Sequence, residues 1–310
     1  MGWYAVAVLL HTRSPVPAPR LSDLSASALL WRRSKQAVLQ ANRLVRWTVT
    51  PERWPEPALA SAGTQRVLLA SHVVALSRTD DGADPVLEAG KRHNVRLAAP
   101  AFDGLLLAPD RPLSFWRTVG RLSAAAGYRH GLSLRGGCLT PSLGGGVCLL
   151  ANALFELAAR QGWHVRERHG HTLEAVPPEA GALWGMDATV AWPYVDLVVA
   201  PREGSVRLGA RVVGDTLRLT LHGAAAPRTR SVLWSEDDNL TNGPEGPVRT
   251  NRVLRRVEDL ATGAVLEEGV IAHNRRRVLN PEAVKRTCRT CGETACYARV
   301  AVPAAEVRSA

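Results

Sequence analysis

The chain has 310 residues, a mass of 33.4 kDa and 46% hydrophobic residues. That is room for two domains, or one with extensions, and it excludes a mainly disordered protein. The formal net charge is +11, and all but three of the 39 basic residues are arginine, the exceptions being Lys35, Lys91 and Lys285. The arginines run along the whole chain, with denser knots at Arg32-Arg33, Arg255-Arg256 and Arg275-Arg276-Arg277. No aromatic residues are interleaved in these knots, so they are expected to be solvated surface rather than a specific nucleic-acid site. No apolar run approaches the ~20 residues of a membrane-spanning helix. The apolar stretch Trp3–Leu10 lacks the preceding Lys or Arg of a secretory leader. The expectation is a cytoplasmic protein with no membrane span.

In chain order, Ser22 or Ser25 could cap a helix over 26–47, where Leu29, Leu30, Arg33, Ala37, Leu44 and Val45 fall near helical spacing. Pro51, Pro55 and Pro57 end it, which defines a basic helical arm and Pro-rich linker over 1–63. Val67–Leu76 reads as a strand closed by the Asp80-Asp81-Gly82 turn. From Lys91 the pattern is helical, with Val95, Ala98, Phe102, Leu105 and Leu106 on one face and Pro100 as a kink. Leu113–Trp116 looks extended, and Leu132–Leu134 leads into a Gly136-Gly137 turn.

Cys148 opens the clearest helix. Val147, Leu150, Ala151, Leu154, Phe155 and Ala158 recur at i, i+3, i+4, i+7, i+8 and i+11, and Gly162 is a natural left-handed stop. Strands are expected at Trp163–Val176, Met186–Trp192 and Tyr194–Ala200. On the first of these, Val165, Glu167, His169, His171 and Leu173 would share a face. Residues 64–200 thus read as an α+β domain. Beyond it, 201–280 reads as β-rich. Val206–Val213 and Leu217–Leu221 flank a Gly214-Asp215 hairpin turn, and further strands are expected at Val248–Leu260 and Val265–Ala272.

Gly144, Gly145 and Gly146 precede Cys148. Glycines permit a tight turn in which several N–H groups converge, and a helix N-terminus adds partial positive charge. Both effects stabilise a thiolate and the oxyanion formed when it attacks a carbonyl. A turn centred near residue 179 would pair the strand of His171 with the next one and set it opposite Asp187. Cys148 as nucleophile, His171 as base and Asp187 as its orienting carboxylate follow the chain order of papain- and transglutaminase-like thiol enzymes. His169 competes with His171 on the same face, and Cys148 could instead be a small packing residue. A Lys-Ser/Thr pair is missing after the glycines, so a phosphate loop of the Walker type is excluded.

Several segments of this stretch resemble the VanW family, known from glycopeptide-resistance gene clusters. They are HNVRLAA (93–99), LSFWRTVG (113–120), GYRHGL (127–132), GGGVCLLANALF (144–155), ERHGH (167–171) and GMDATV (185–190). Asn152 matches the asparagine of the family's helix motif, whereas Leu149 stands where the family usually has Gln. The resemblance implies a link to cell-envelope or antibiotic-resistance biology. The ligand would then be a small peptide or a cell-wall-precursor-like molecule. The leading expectation is thiol-based acyl chemistry on an amide or peptide. The alternative is a non-enzymatic module in which the glycine loop, with Asn152 and His169, grips a carboxylate or phosphate.

The end of the chain, 281–310, holds Cys288, Cys291 and Cys296. A CxxCG turn with a third cysteine nearby could bind zinc, with His273 or His222 as a remote fourth ligand. Oxidation of Cys288 with Cys291 and an inert tail are the other expectations. The central domain is expected to need no cofactor.

Overall fold

A computed structural model describes residues 26–49, 53–57, 66–77, 84–135, 138–174, 183–243 and 246–279. The fold is α+β, and four antiparallel or mixed sheets surround one apolar core. Helix α1 spans Ala26–Val49 and is followed by the short strand β1, Glu56–Pro57. Strand β2 is Val67–Ala75. Helix α2, Pro85–Ala98, begins six residues before the periodicity of the sequence suggests. Asp84 and Pro85 set that start: the Asp84 carboxylate accepts from the Val86 and Leu87 N–H groups at 3.1 and 3.4 Å, and proline occupies the first turn. Pro100 does not kink the helix. It lies in the 3-10 turn Ala99–Phe102 that follows α2.

Leu105 and Leu106 belong to β3, Leu105–Leu107, rather than to a helix face. The expected extended stretch 113–116 splits into strand β4, Leu113–Ser114, and helix α3, Phe115–Val119, because the Ser114 hydroxyl caps the Arg117 N–H at 3.2 Å. Strands β5, His130–Arg135, and β6, Cys138–Leu143, pair antiparallel, and the glycines expected to turn between them lie outside the described residues. Helix α4 is Cys148–Arg160, and eight of its side chains are buried from Leu150 to Ala159. An Ala/Leu helix with so few polar positions belongs in the interior, and α4 packs against β2, β11 (Thr216–Gly223), β12 (Thr229–Gly243) and β7 (His164–Glu167).

Two expected strands are corrected. The stretch Trp163–Val176 is broken into β7 and the two-residue β8, Leu173–Glu174, with irregular backbone over 168–172. Residues 186–192 form no strand and hold only an isolated bridge between Ala191 and Val195. Polar side chains take over the backbone hydrogen bonds there, as shown below. Strand β9 is limited to Val198–Ala200 and lies between β4 and β7.

The largest sheet is antiparallel in the order β1-β3-β10-β11-β2, with β10 at Val206–Val213 and a β10–β11 hairpin turning at Gly214-Asp215. The second sheet is a meander of long strands, β12, β13 (Gly246–Asp259) and β14 (Val265–Val278), with β8 added parallel to β14. On β13 the inward face carries Asn251, Val253, Arg255 and Val257, all buried. Arg255 is therefore not solvated surface. It is 2% exposed and donates to the Trp163 carbonyl and the Glu267 carboxylate, both at 2.7 Å.

Candidate functional site

Cys148 is the first residue of α4 and is half-buried. The glycine loop places it there by close packing. A Cβ on Gly145 would fall 2.3 Å from the Gly131 carbonyl oxygen, and Gly146 has φ +99 against the Lys91 side chain. Only glycine tolerates both contacts. The loop does not present a row of free donors, however. The Gly144 N–H bonds the Arg129 carbonyl at 2.9 Å, and the Gly145 N–H bonds the Ser142 carbonyl at 2.8 Å. Among the described residues, the Gly146 and Cys148 N–H groups are the ones left at the helix start.

The His171 ring lies near enough to the Cys148 thiol for each to shift the other's titration, and its Nδ1 bonds an Asp187 carboxylate oxygen. With Nδ1 held by Asp187, Nε2 is the ring nitrogen left to meet the thiol. The same carboxylate oxygen accepts the His171 backbone N–H at 3.0 Å. This bond, and not strand pairing, brings residues 171 and 187 together. Two further ties lay the 185–190 segment along the site. The Thr189 N–H donates to the His169 carbonyl, and the Ala188 N–H donates to Asn152 Oδ1, each at 2.8 Å. Asn152 is thus a clasp between α4 and that segment. The Thr189 hydroxyl and the Val190 carbonyl lie 3.9 and 3.8 Å from the Cys148 sulfur. His169 points elsewhere: its exposed ring bonds Glu167 at 3.0 Å.

Two arginines complete the array, and nothing in the sequence set them apart from the other basic residues. Arg168, 5% exposed, donates to the Asp187 and Gly185 carbonyls at 2.7 and 2.8 Å, to the Asp187 carboxylate at 3.1 Å and to Asn274 Oδ1 at 2.8 Å. Its guanidinium also covers the Phe155 ring. Arg276, from β14, pairs with the same Asp187 carboxylate. It had been expected on a solvated surface, but its neighbour Asn274 and it both face inward.

The charges shift the titrations together. Burial would raise the Asp187 carboxyl, but the His171 hydrogen bond and the two guanidiniums hold it far below the usual carboxylate range. Burial disfavours the charged His171 ring, yet its bonds to Asp187 and Cys148 push it up to about 9. For Cys148, burial is outweighed by the hydrogen bond and charge of His171, with help from Val190 and Thr189, and the thiol moves below its ordinary value. Close by, Glu174 is buried with one carboxylate oxygen lacking a partner, and burial lifts it to about 7 even though Arg249 and Arg276 pull it down.

A cleft of about 310 Å³ opens where β13 and β14 carry Thr250, Arg252, His273 and Arg275, with Asp237 beside them. It does not include Cys148, His171 or Asp187. Among the described residues no group of His, Cys, Asp and Glu has the makings of a metal site. Cys288, Cys291 and Cys296 lie outside the described residues, and the two remote histidines, His222 and His273, stand on different sheets.

Fold and site together define an α+β protein in which a helix-start cysteine lies near a histidine that is hydrogen-bonded to an aspartate. Residues 90–222, a little under half of the chain, match the family model described as "VanW like protein". It is 34% identical over 126 residues to the Vancomycin B-type resistance protein VanW of Enterococcus faecalis, covering 40% of this chain and 46% of that protein. It is 29% identical over 143 residues to the uncharacterized protein YoaR of Bacillus subtilis, covering 45% of each. The match thus spans about half the length of either relative. No solved structure matches the chain.

Proposed function

We propose that this protein carries out thiol-based acyl chemistry on an amide or peptide. The single observation behind this reading is the grouping of Cys148 with a His171 ring that Asp187 holds through Nδ1. The opposed shifts of thiol and imidazole favour a thiolate–imidazolium pair, with Asp187 fixing the ring. The Cys148 thiolate attacks the carbonyl carbon, a C–S bond forms, and the carbonyl electron pair moves to oxygen. The Cys148 N–H at the positive end of α4 is the donor best placed for that oxyanion. His171 then passes its Nε2 proton to the leaving amine as the C–N bond breaks. Water or a second amine releases the acyl group from the thioester.

The relative named for vancomycin B-type resistance suggests a peptide from cell-envelope material as substrate. The alternative, a glycine loop gripping an anion, has less support, because the Gly144 and Gly145 N–H groups already serve backbone carbonyls.

Iodoacetamide labelling followed by intact mass, from acid to neutral pH, tests the reading, with Cys148→Ala as control. Cys148 should still label rapidly near pH 6, at least ~10-fold faster than in His171→Ala. p-Nitrophenyl acetate should leave an acetyl group on Cys148. Labelling of Cys148 only after denaturation, or a pH profile unaffected by His171→Ala, would remove the basis for this chemistry.

A further inference from the structure

Helix α1 has two unlike faces. Gln40, Arg43 and Trp47, spaced three and four residues apart, turn toward the body of the protein. Arg43 pairs with the Glu167 carboxylate and donates to the Tyr194 carbonyl, and Trp47 meets the Trp192 ring edge-on at 5.5 Å. On the opposite side stand Trp31, Val38, Val45 and Val49, with exposures of 65, 66, 56 and 69%. At 100° per residue these four fall within about 40° of one another. They line one side of the helix with the exposed Asn42 between Val38 and Val45, and no described part of the chain covers them. Lys35 and Arg46 flank the stripe, both exposed, and the Lys35 ammonium lies over the Trp31 ring.

The charge of α1 decides what this stripe meets. The helix carries Arg32, Arg33, Lys35, Arg43 and Arg46 and no acidic residue in 24 positions. A second copy of the same helix would bring like charges together along the seam. A nucleic acid would engage the cations and leave the apolar stripe in water. An anionic lipid surface satisfies both, because apolar side chains enter the headgroup boundary while the flanking cations meet lipid phosphates.

We propose that α1 lies in the plane of an anionic bilayer with Trp31, Val38, Val45 and Val49 inserted, as a surface contact and not a span. No described helix is long and apolar enough to cross a membrane. The Arg43–Glu167 pair on its other face would hold β7, and with it the His171 loop, close to the lipid.

Flotation of the full chain with vesicles tests this independently of the thiol chemistry. The probes are phosphatidylcholine alone and phosphatidylcholine mixed with phosphatidylglycerol, each at low and high salt. Wild type should float with the mixed vesicles at low salt, and several-fold less with neutral vesicles or at high salt. The charge-neutral variant Val38→Asn/Val45→Asn should lose at least ~10-fold in partitioning, because it removes insertion and leaves the net charge unchanged. Lys35→Gln/Arg46→Gln should weaken binding to the mixed vesicles only. All four residues are exposed, so the unfolding midpoint should stay in place. Three results would overturn the proposal. These are a wild type that does not float, an Asn variant that floats like wild type, and a wild type that dimerises through the stripe while the Asn variant is monomeric and neither binds vesicles.

Discussion

Between residues 90 and 222 the protein is held mainly by apolar packing. Val95, Phe102, Phe115, Leu150, Phe155, Leu197 and Leu219 are all fully buried in one cluster. Between 229 and 278 the three-stranded meander is laced by arginine–carboxylate pairs: Arg230 with Glu258, Arg249 with Asp238, Arg252 with Asp237, Arg255 with Glu267 and Arg256 with Glu268. The first region matches the family model and contains Cys148, His171 and Asp187. The second lies outside that match and still reaches into the site, through Asn274 to Arg168 and through Arg276 to Asp187. The trio is thus local, while the charge that balances its carboxylate comes partly from another sheet. Asp187 is the point where the two regions meet, and changing it tests their dependence most directly.

Asp187→Asn should have the largest effect. It removes the carboxylate from the His171 ring and leaves two largely buried guanidiniums without their counter-charge. Breaking a buried ion pair from one side costs about 3–5 kcal/mol. The sign with pH follows from the depressed carboxyl. Its contribution is complete above about pH 4, the unfolded value, and disappears as the solution is acidified below that. The variant and wild type should therefore differ most by chemical denaturation near neutrality, and the difference should begin to shrink only as pH falls below about 4. Labelling of Cys148 should slow in parallel. A variant as stable as wild type at pH 7 would show that the two regions do not depend on this residue.

Arg255 separates the two kinds of arginine within the meander. Its head is buried, its Nε has no partner, and its carboxylate Glu267 is only partly covered. Arg255→Ala should cost about 3 kcal/mol, because it leaves a cavity and an unmatched Trp163 carbonyl. Arg255→Met refills the cavity but still leaves the Trp163 carbonyl and the Glu267 carboxylate without this donor, so it should recover only part of that loss. Thermal unfolding of both variants checks this. A Met variant as damaged as the Ala variant would mean that the charge itself holds the meander to α4.

Glu174 gives the effect with the clearest pH signature. A buried acid raised to about 7 binds its proton more tightly folded than unfolded, so it lowers stability as pH rises from about 4.3 through 7. His171 acts in the same direction higher up. Its bonds stabilise the fold fully below about pH 6.5, and that contribution declines as pH approaches 9. The protein should therefore be more stable near pH 5 than near pH 9. Glu174→Gln should leave stability at pH 5 nearly unchanged and raise it at pH 8, by about 3 kcal/mol at most. Equal effects at both pH values would place the change in packing and not in titration.

The sequence made the trio legible but not its setting. Helix α4 stood out because its apolar positions kept helical spacing and glycines marked both ends. The β10–β11 hairpin was visible through the Gly214-Asp215 turn. Cys148, His171 and Asp187 stand out in the sequence for the chemistry of their side chains, but the contact of His171 with Asp187 rests on side-chain bonds and not on paired strands. Side chains supply what strands were expected to supply: Asp187 takes the His171 N–H, Asn152 takes the Ala188 N–H, and Arg168 holds two carbonyls. Such side-chain-to-backbone bonds leave no periodic trace. Arg168 and Arg276 were hidden for another reason. In a chain with this many arginines, burial alone distinguishes a structural one, and burial is set by partners far away in sequence. Asp84 was the missed signal that could have been read, since Asp followed by Pro is a helix-start pattern.

The smallest effect belongs to the outer rungs of the meander, and it completes the contrast with Arg255. Arg230 lies on β12 opposite Glu258 on β13, with Nε 2.7 Å from the carboxylate. The guanidinium is 65% exposed. In that setting water solvates the Arg230 charge when the bond opens, the less exposed Glu258 keeps Arg256 at 4.0 Å, salt screens the attraction, and ordering a long side chain costs entropy. The distance is short, but the net stabilisation should be about 0.5 kcal/mol or less. Arg230→Ala should therefore shift the unfolding midpoint little, and less still at high salt, while the β12–β13 pairing persists through its backbone ladder. If Arg230→Ala instead destabilised the protein as strongly as Arg255→Ala, the arginine rungs would act as one cooperative network. The meander would then depend on its charges as the family-matched region depends on its apolar core.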